Sequence, residues 1–244
     1  MIKVISGVAV AGLLALVAIA GGWYLFVRED AQLATSAPDI PDAIADTATQ
    51  TPGAATTSVV AQTGDVLAFT INSELSEAAY FVDEELATIG IPSTAKGATN
   101  DVTGTLYVST AGTALATDET SSFTVDLTGL TSDEDRRDQR VQQALDTGTY
   151  QSATFTVSAV SGYDPSIAEG EEQTLQLTGT LDLHGVQKEV TWEVKAFREG
   201  DAISALATVT ISFADFDITP PTFQGLVSIS DEATLQVQLI AELA

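Results

Sequence analysis

The stretch "TGTLDLHGVQKEVTWEV", residues 178–194, decides the fold of this chain. Apolar and polar residues alternate on both sides of the pair His184–Gly185. A period of two indicates β-strands, and a short polar break between two such runs predicts a β-hairpin. Gly185 supplies the positive φ that the turn needs, and histidine is among the residues that tolerate such a position. We therefore interpret His184, the only histidine in the chain, as a turn residue and not as a catalytic or metal-binding one.

The same alternation recurs from about Gly64 to the last residue. One apolar face and one polar face per strand is typical of an antiparallel sheet around a single core. Eight or nine strands in this part of the chain predict one all-β domain. Periodicity does not decide whether this domain is a barrel or a sandwich. The alternating runs lie at residues 67–71, 78–82, 102–108, 123–127, 153–159, 175–183, 190–194, 203–213 and 235–243.

One segment breaks the alternation: "TSDEDRRDQRVQQALDTG", residues 131–148. Thr131 and Glu134 fit a capping box, and the acidic first turn suits the positive end of a helix dipole. We expect a helix at about 132–145, ended by Gly148. Its three arginines, Arg136, Arg137 and Arg140, are either a site for an anionic group or partners of the neighbouring aspartates, and we favour pairing.

Composition excludes several classes of function. The formal net charge is −25, so a nucleic-acid partner is not expected. The chain has no cysteine, which excludes disulfides and thiol catalysis. No G-x-S-x-G elbow, P-loop, EF-hand loop or dinucleotide fingerprint is present. We therefore expect no enzymatic activity, no catalytic residues and no metal site.

The N-terminus carries a targeting signal. Residues 4–27, "VISGVAVAGLLALVAIAGGWYLFV", contain no charge and lie between Lys3 and Arg28. About 20 apolar residues suffice to cross a bilayer as a helix. Ala18 and Ala20 also fit a signal-peptide cleavage site, but the apolar run continues past them, which favours an uncleaved anchor. The charge bias favours a cytoplasmic N-terminus and an extracytoplasmic domain.

The chain thus divides into three predicted parts. Residues 1–30 are a single transmembrane anchor or a signal peptide, and residues 31–62 are a flexible linker rich in Ala, Thr and Pro. Residues 63–244 form the β-domain.

The inward face of the predicted sheet carries Phe123, Phe155, Trp192 and Phe213. These residues either fill an ordinary core or, if the sheet closes, line a cavity. Eight strands make about the smallest barrel that can hold one small ligand.

The order of motifs resembles the YceI family of lipid-binding barrels. The segment "SSFTVDLTGLTSDEDRRDQRVQQALDTGTYQSATFTVSAV", residues 121–160, is similar to the family's strand, Arg-Asp pair and "A-T-F" strand. The hairpin resembles "G-x-L-x-x-x-G-V-x-K-x-V", and "ISFADFDI" resembles the closing region, although Asp217 replaces the usual glycine.

The resemblance implies an extended lipocalin-like antiparallel β-barrel of about eight strands with one short helix, preceded here by the single N-terminal transmembrane helix. It also implies a secreted or periplasmic protein that binds a polyisoprenoid chain, with no other cofactor than a bound isoprenoid lipid or quinone.

Our expectation from the sequence is therefore a carrier protein, anchored in the cell membrane by one span, for a polyisoprenoid or similar long lipid. Its barrel lies on the periplasmic or extracellular side, and its oligomeric state is left open. The alternative is a dry barrel or sandwich that acts as a cell-surface interaction module. The polar head of the lipid is expected to lie near Arg137. The chain of the lipid is expected to lie against the apolar inward residues Phe123, Val125, Leu127, Phe155, Val157, Leu181, Leu183, Trp192, Val194 and Phe213.

Overall fold

A computed structural model describes residues 31–45, 66–86, 91–109, 115–116, 118–221 and 227–244. This part of the chain contains twelve strands and two α-helices, α1 (Asp42–Ala45) and α2 (Asp135–Ala144). The strands are β1 (Val66–Ile71), β2 (Glu77–Leu86), β3 (Ile91–Thr99), β4 (Val102–Ser109), β5 (Ser122–Asp126), β6 (Thr131–Ser132), β7 (Ser152–Ser161), β8 (Gln173–Leu183), β9 (Val186–Glu199), β10 (Ala202–Ser212), β11 (Val227–Ile229) and β12 (Glu232–Leu243).

The sheet closes into an antiparallel barrel. Its strand order is β1-β4-β5-β7-β8-β9-β10-β12, and β12 pairs again with β1 through Phe69↔Leu243 and Ile71↔Ala241. Eight strand positions therefore surround one interior, which confirms the predicted all-β barrel and excludes the sandwich.

Two of the eight strand positions are long and bent, and each consists of two consecutive strands. β1 and β2 pair with successive parts of β12 and are separated by a 3₁₀ turn at Ser73–Leu75, where the Asn72 side chain accepts a hydrogen bond from the Glu74 amide. β3 and β4 pair with β2 and β1 in the same way. β2 and β3, with the short strands β6 and β11, therefore extend the wall beyond the closed ring at one end.

The hairpin between β8 and β9 is confirmed. His184 and Gly185 have φ angles of 55° and 75°, and Leu183 pairs with Val186 across the turn. His184 Nδ1 lies 3.0 Å from the carbonyl oxygen of Phe216. Its ring packs edge-on against Tyr150, with 4.9 Å between the ring centroids. His184 thus holds the turn against two neighbouring segments.

Helix α2 is confirmed, but it begins three residues later than predicted. Thr131 lies in β6, where it pairs with Ala98, and Glu134 takes the N-cap position without a side-chain hydrogen bond. The expected capping box therefore does not form, because sheet pairing holds its first residue. The other end agrees within one residue, because Ala144 is the last helical residue, and Asp146, with a φ of 43°, takes a left-handed conformation before Gly148 is reached.

Residues 34–44, which we call the strap, pack on the outside of the barrel. The Gln236 side chain accepts from the Ala34 amide (2.9 Å) and donates to its carbonyl (3.1 Å). Ser204 Oγ donates to the Pro38 carbonyl oxygen, and Ile40 is buried against Ala202 and Ile240. The first part of the segment predicted as a flexible linker is thus held on the wall.

The predicted anchor and residues 46–62 of the predicted linker lie outside the described residues. Within the described ranges, no helix is long and apolar enough to span a membrane.

Candidate functional site

The barrel encloses a cavity of about 680 Å³. Ligand cavities in proteins are typically about 300–1,000 Å³. Its wall is mostly apolar and comes from the inward faces of the strands, from α2 and from the segment before β8. Several of the inward residues are alanines, which leave the interior open: Ala78, Ala95, Ala153, Ala205, Ala207, Ala233 and Ala241.

Ten of the eleven residues predicted to bind the ligand line this cavity. Val157 is the exception, because it is buried in the surrounding apolar cluster without lining the space. Their contact with a lipid stays a prediction. The ten are Phe123, Val125, Leu127, Arg137, Phe155, Leu181, Leu183, Trp192, Val194 and Phe213.

A bulge in β7 changes which side chains face inward. The pairing with β8 shifts between Val157 and Ala159, so Ala159 is exposed and Val160 lines the cavity instead. The sequence pattern placed Ala159 inside. A β-bulge inserts one extra residue and reverses the alternation beyond it, and nothing in the run of apolar letters marks that point.

Two aromatic rings form the middle of the wall. Phe155 and Trp192 pack edge-to-face with 5.9 Å between their centroids. Gly179 on β8 makes room for Phe155, because a Cβ there would lie 2.8 Å from the edge of that ring. Trp192 Nε1 is buried and has no hydrogen-bond partner within the described part of the chain.

One end of the cavity carries a buried cation. The guanidinium of Arg137, on α2, donates from Nη1 to Asp133 and from Nε and Nη2 to Glu84, at 3.4 and 3.3 Å. Only 9% of the Arg137 side chain and 13% of the Glu84 side chain are exposed. Burial lowers the pKa of Arg137, but the Glu84 and Asp133 carboxylates outweigh burial and hold the pKa above its usual value. The predicted pairing of this arginine is confirmed.

Tyr80 lies beside this ion pair and also lines the cavity. Its ring lies across Gly97 on the neighbouring strand, where a Cβ would come within 2.6 Å of the hydroxyl oxygen. Burial is the main cause that raises the pKa of Tyr80 from 10.0 to about 12. The charge of Arg137 lowers this pKa, whereas the carboxylates of Asp138, Glu84 and Asp133 raise it. The hydroxyl is therefore protonated at any ordinary pH.

The other end is formed by the segment before β8 and the β9–β10 turn. Arg198 lies 5.2 Å from the centroid of the Phe69 ring, and its Nε donates to the Gly200 carbonyl oxygen at 2.8 Å. Glu169 and Glu171 line the same cavity. The Gly170 amide donates to the Arg198 carbonyl oxygen at 2.8 Å, which fastens this segment over the end of the barrel.

Sequence reasoning missed Tyr80, Glu84 and Arg198. Glu84 is one of 34 acidic residues and carries no local signal. Glu84 becomes the partner of Arg137 only because the pairing of β2 in the wall brings it next to α2. Tyr80 was recoverable, because it lies in the run 78–82 with inward residues at the same spacing.

Within the described residues, no group of three or more His, Cys, Asp or Glu side chains is placed to hold a metal ion.

Comparison with known proteins identifies the class. The YceI-like domain matches residues 69–241, so the chain belongs to the YceI-like family. A polyisoprenoid binding domain from Saccharophagus degradans, implicated in plant cell wall breakdown, shares the fold with a TM-score of 0.56 and 22% identity, covering 73% of this chain and 99% of that chain.

BcnA from Burkholderia cenocepacia is similar with a TM-score of 0.53 and 18% identity, covering 70% of this chain and 98% of that chain. At these identities the two structures establish the fold. No match was found among curated protein sequences.

Proposed function

We propose that this protein binds and carries a long apolar lipid of the polyisoprenoid type inside its barrel. The observation that carries the proposal is the cavity of about 680 Å³ with its apolar wall. Transfer from water stabilises a buried CH₂ group by about 0.8 kcal/mol, so a long chain binds well without many polar contacts. The relative from Saccharophagus degradans, a polyisoprenoid binding domain, supports the choice of lipid.

The alternative function, an interaction module that holds no ligand, requires an interior filled by side chains. The inward alanines and the open volume between the aromatic rings do not fit that requirement. Apolar surface facing an empty space forfeits dispersion contacts, and a guest that fills the space restores them.

We further propose that residues 4–27 anchor the protein in the membrane and that the barrel lies on the extracytoplasmic side. The uncharged run and the charge bias support this arrangement. Membrane fractionation of the full chain, compared with a chain that begins at residue 31, tests the anchor. Recovery of the full chain in the soluble fraction would contradict it.

The binding proposal is tested by purifying the full chain from membranes in mild detergent and analysing it by native mass spectrometry and solvent extraction. We expect an isoprenoid lipid in stoichiometric amount. A purified protein that yields no lipid and does not take up a long-chain polyprenol would overturn the proposal.

A matched pair of variants locates the lipid. Ala207→Phe adds a ring to the cavity wall, and we expect it to reduce the lipid recovered. Ala159→Phe adds the same ring on the exposed face of β7 and serves as the control. Equal lipid in both variants would place the lipid outside the barrel.

A further inference from the structure

We propose that the guest of this cavity carries an uncharged oxygen headgroup, and that the carboxylates around Arg137 exclude phosphate and diphosphate heads. The inference rests on the proposed function and narrows it. Polyisoprenoid chains occur with hydroxyl or carbonyl heads and with phosphorylated heads. An apolar wall alone does not distinguish them, so the discrimination must come from the charged groups at the two ends of the cavity.

The hydrogen bonds of Arg137 are already used. Nε and Nη2 donate to Glu84, and Nη1 donates to Asp133 and to Ser132 Oγ, the latter at 3.4 Å. Arginine binds phosphate best through a fork of two parallel N–H groups. Among the described residues these partners occupy four of the five guanidinium N–H groups, and one on Nη2 is left. No fork remains for a phosphate.

Negative charge exceeds positive charge at this end. Ser132 Oγ donates to Asp138 Oδ1 at 2.6 Å, which places a third carboxylate beside Glu84 and Asp133 around the one guanidinium. All three carboxylates act on the hydroxyl of Tyr80 and disfavour its negative form. Arg137 acts in the opposite direction, and burial disfavours the negative form most. A phosphate at the same place would lose hydration and would face three carboxylates against one guanidinium.

The opposite end offers no better site for an anion. Glu169 and Glu171 line it together with Arg198. The Arg198 guanidinium lies over the Phe69 ring and donates to the Gly200 carbonyl oxygen. No lysine is among the lining residues of the described chain. A phosphate therefore finds an excess of carboxylates at both ends.

An uncharged oxygen fits the Arg137 end. The protonated hydroxyl of Tyr80 lines the cavity and both donates and accepts hydrogen bonds. The remaining N–H of Arg137 Nη2 is a second donor for a carbonyl or hydroxyl oxygen. Such a head gains hydrogen bonds without bringing a net charge among the carboxylates.

The experiment measures the affinity of the full chain, stripped of lipid in detergent, for a long-chain polyprenol and for the diphosphate of the same polyprenol. We expect the diphosphate to bind at least about tenfold more weakly, which corresponds to about 1.4 kcal/mol. A diphosphate that binds as tightly as the polyprenol would overturn this inference and leave the carrier function standing. Binding of neither lipid would overturn the carrier function itself.

A variant tests whether the carboxylates cause the discrimination. Glu84→Gln with Asp133→Asn removes two negative charges beside Arg137, and we expect the ratio of diphosphate to polyprenol affinity to rise about tenfold or more. The control, Asp118→Asn with Glu119→Gln, removes the same charge from exposed residues outside the cavity wall. An unchanged ratio in the first variant, or an equal rise in both, would contradict the role of these carboxylates.

Discussion

Arg137 shows how a buried charge is accommodated at the scale of one residue. An isolated charge in an apolar interior is strongly disfavoured unless it is paired and hydrogen-bonded. Glu84 and Asp133 provide this pairing from β2 and from the segment that precedes α2. The sequence indicated neighbouring aspartates as partners, and Asp133 is one of them, but the Glu84 partner is 53 residues away. Long-range pairing of this kind has no local signature.

Tyr80 provides a test of the same environment through pH. Its pKa is 10.0 when exposed and about 12 in the barrel, so the folded state holds the phenol proton more tightly than the unfolded state does. The stabilisation is complete below pH 10 and is lost as the pH rises towards 12. The free energy of unfolding should fall by about 1.4 kcal/mol per pH unit in this range because of this group.

Tyr80→Phe should lose this dependence. Denaturant unfolding at several alkaline pH values should give a shallower slope for Tyr80→Phe than for the native chain. Tyr107→Phe, on a residue that does not line the cavity, is the control. Parallel slopes for all three proteins would contradict the burial of the Tyr80 phenol.

At the scale of the element, alternation predicted the strands that form the closed ring. β3 was missed, because Ile91–Thr99 consists mostly of small and polar residues with no apolar period. β6 and β11 are too short to show a period. The bulge in β7 and the late start of α2 were missed for a related reason. Both depend on which strand lies alongside, and pairing is not encoded in a single run of residues.

Gly179 in β8 is required by the packing between strands. A Cβ at this position would meet the Thr156 carbonyl oxygen and would lie 2.8 Å from the Phe155 ring. Gly179→Ala should therefore lower the free energy of unfolding by about 1–3 kcal/mol, as overpacking does.

Gly148→Ala is the control for this substitution, because the nearest atom to a Cβ there is Asp146 Oδ1 at 3.9 Å. Denaturant unfolding of the two variants gives the comparison. A Gly179→Ala protein as stable as Gly148→Ala would mean that β7 and β8 are less closely packed than described.

At the scale of the whole molecule, the docking of the strap is the feature that amino-acid composition did not predict. Residues 31–62 are rich in Ala, Thr and Pro and have no period, which predicts a linker. The strap nevertheless docks, and most of its polar contacts use main-chain atoms: the Ala34 amide and carbonyl, the Ala37 amide and the Pro38 carbonyl. Side-chain composition carries no signal for contacts made by the backbone.

A substitution of Gln236 on β12 tests whether the strap is docked on the barrel. Its side chain holds both backbone groups of Ala34 and is only 3% exposed. Gln236→Ala should speed hydrogen exchange of the Ala34 and Ala37 amides and lower the free energy of unfolding by about 1–2 kcal/mol. Gln238→Ala, two residues further along β12, is the control. Unchanged exchange at both amides in Gln236→Ala would contradict the described docking.

The strap also bears on how a guest reaches the interior. It is fastened to Lys195 on β9, Ser204 on β10 and Gln236 on β12, so it runs across three neighbouring strands. Those strands cannot part from one another while these fastenings hold. Entry between these three strands would therefore require the strap to detach, so a guest of the proposed kind should enter through an end of the barrel or between other strands.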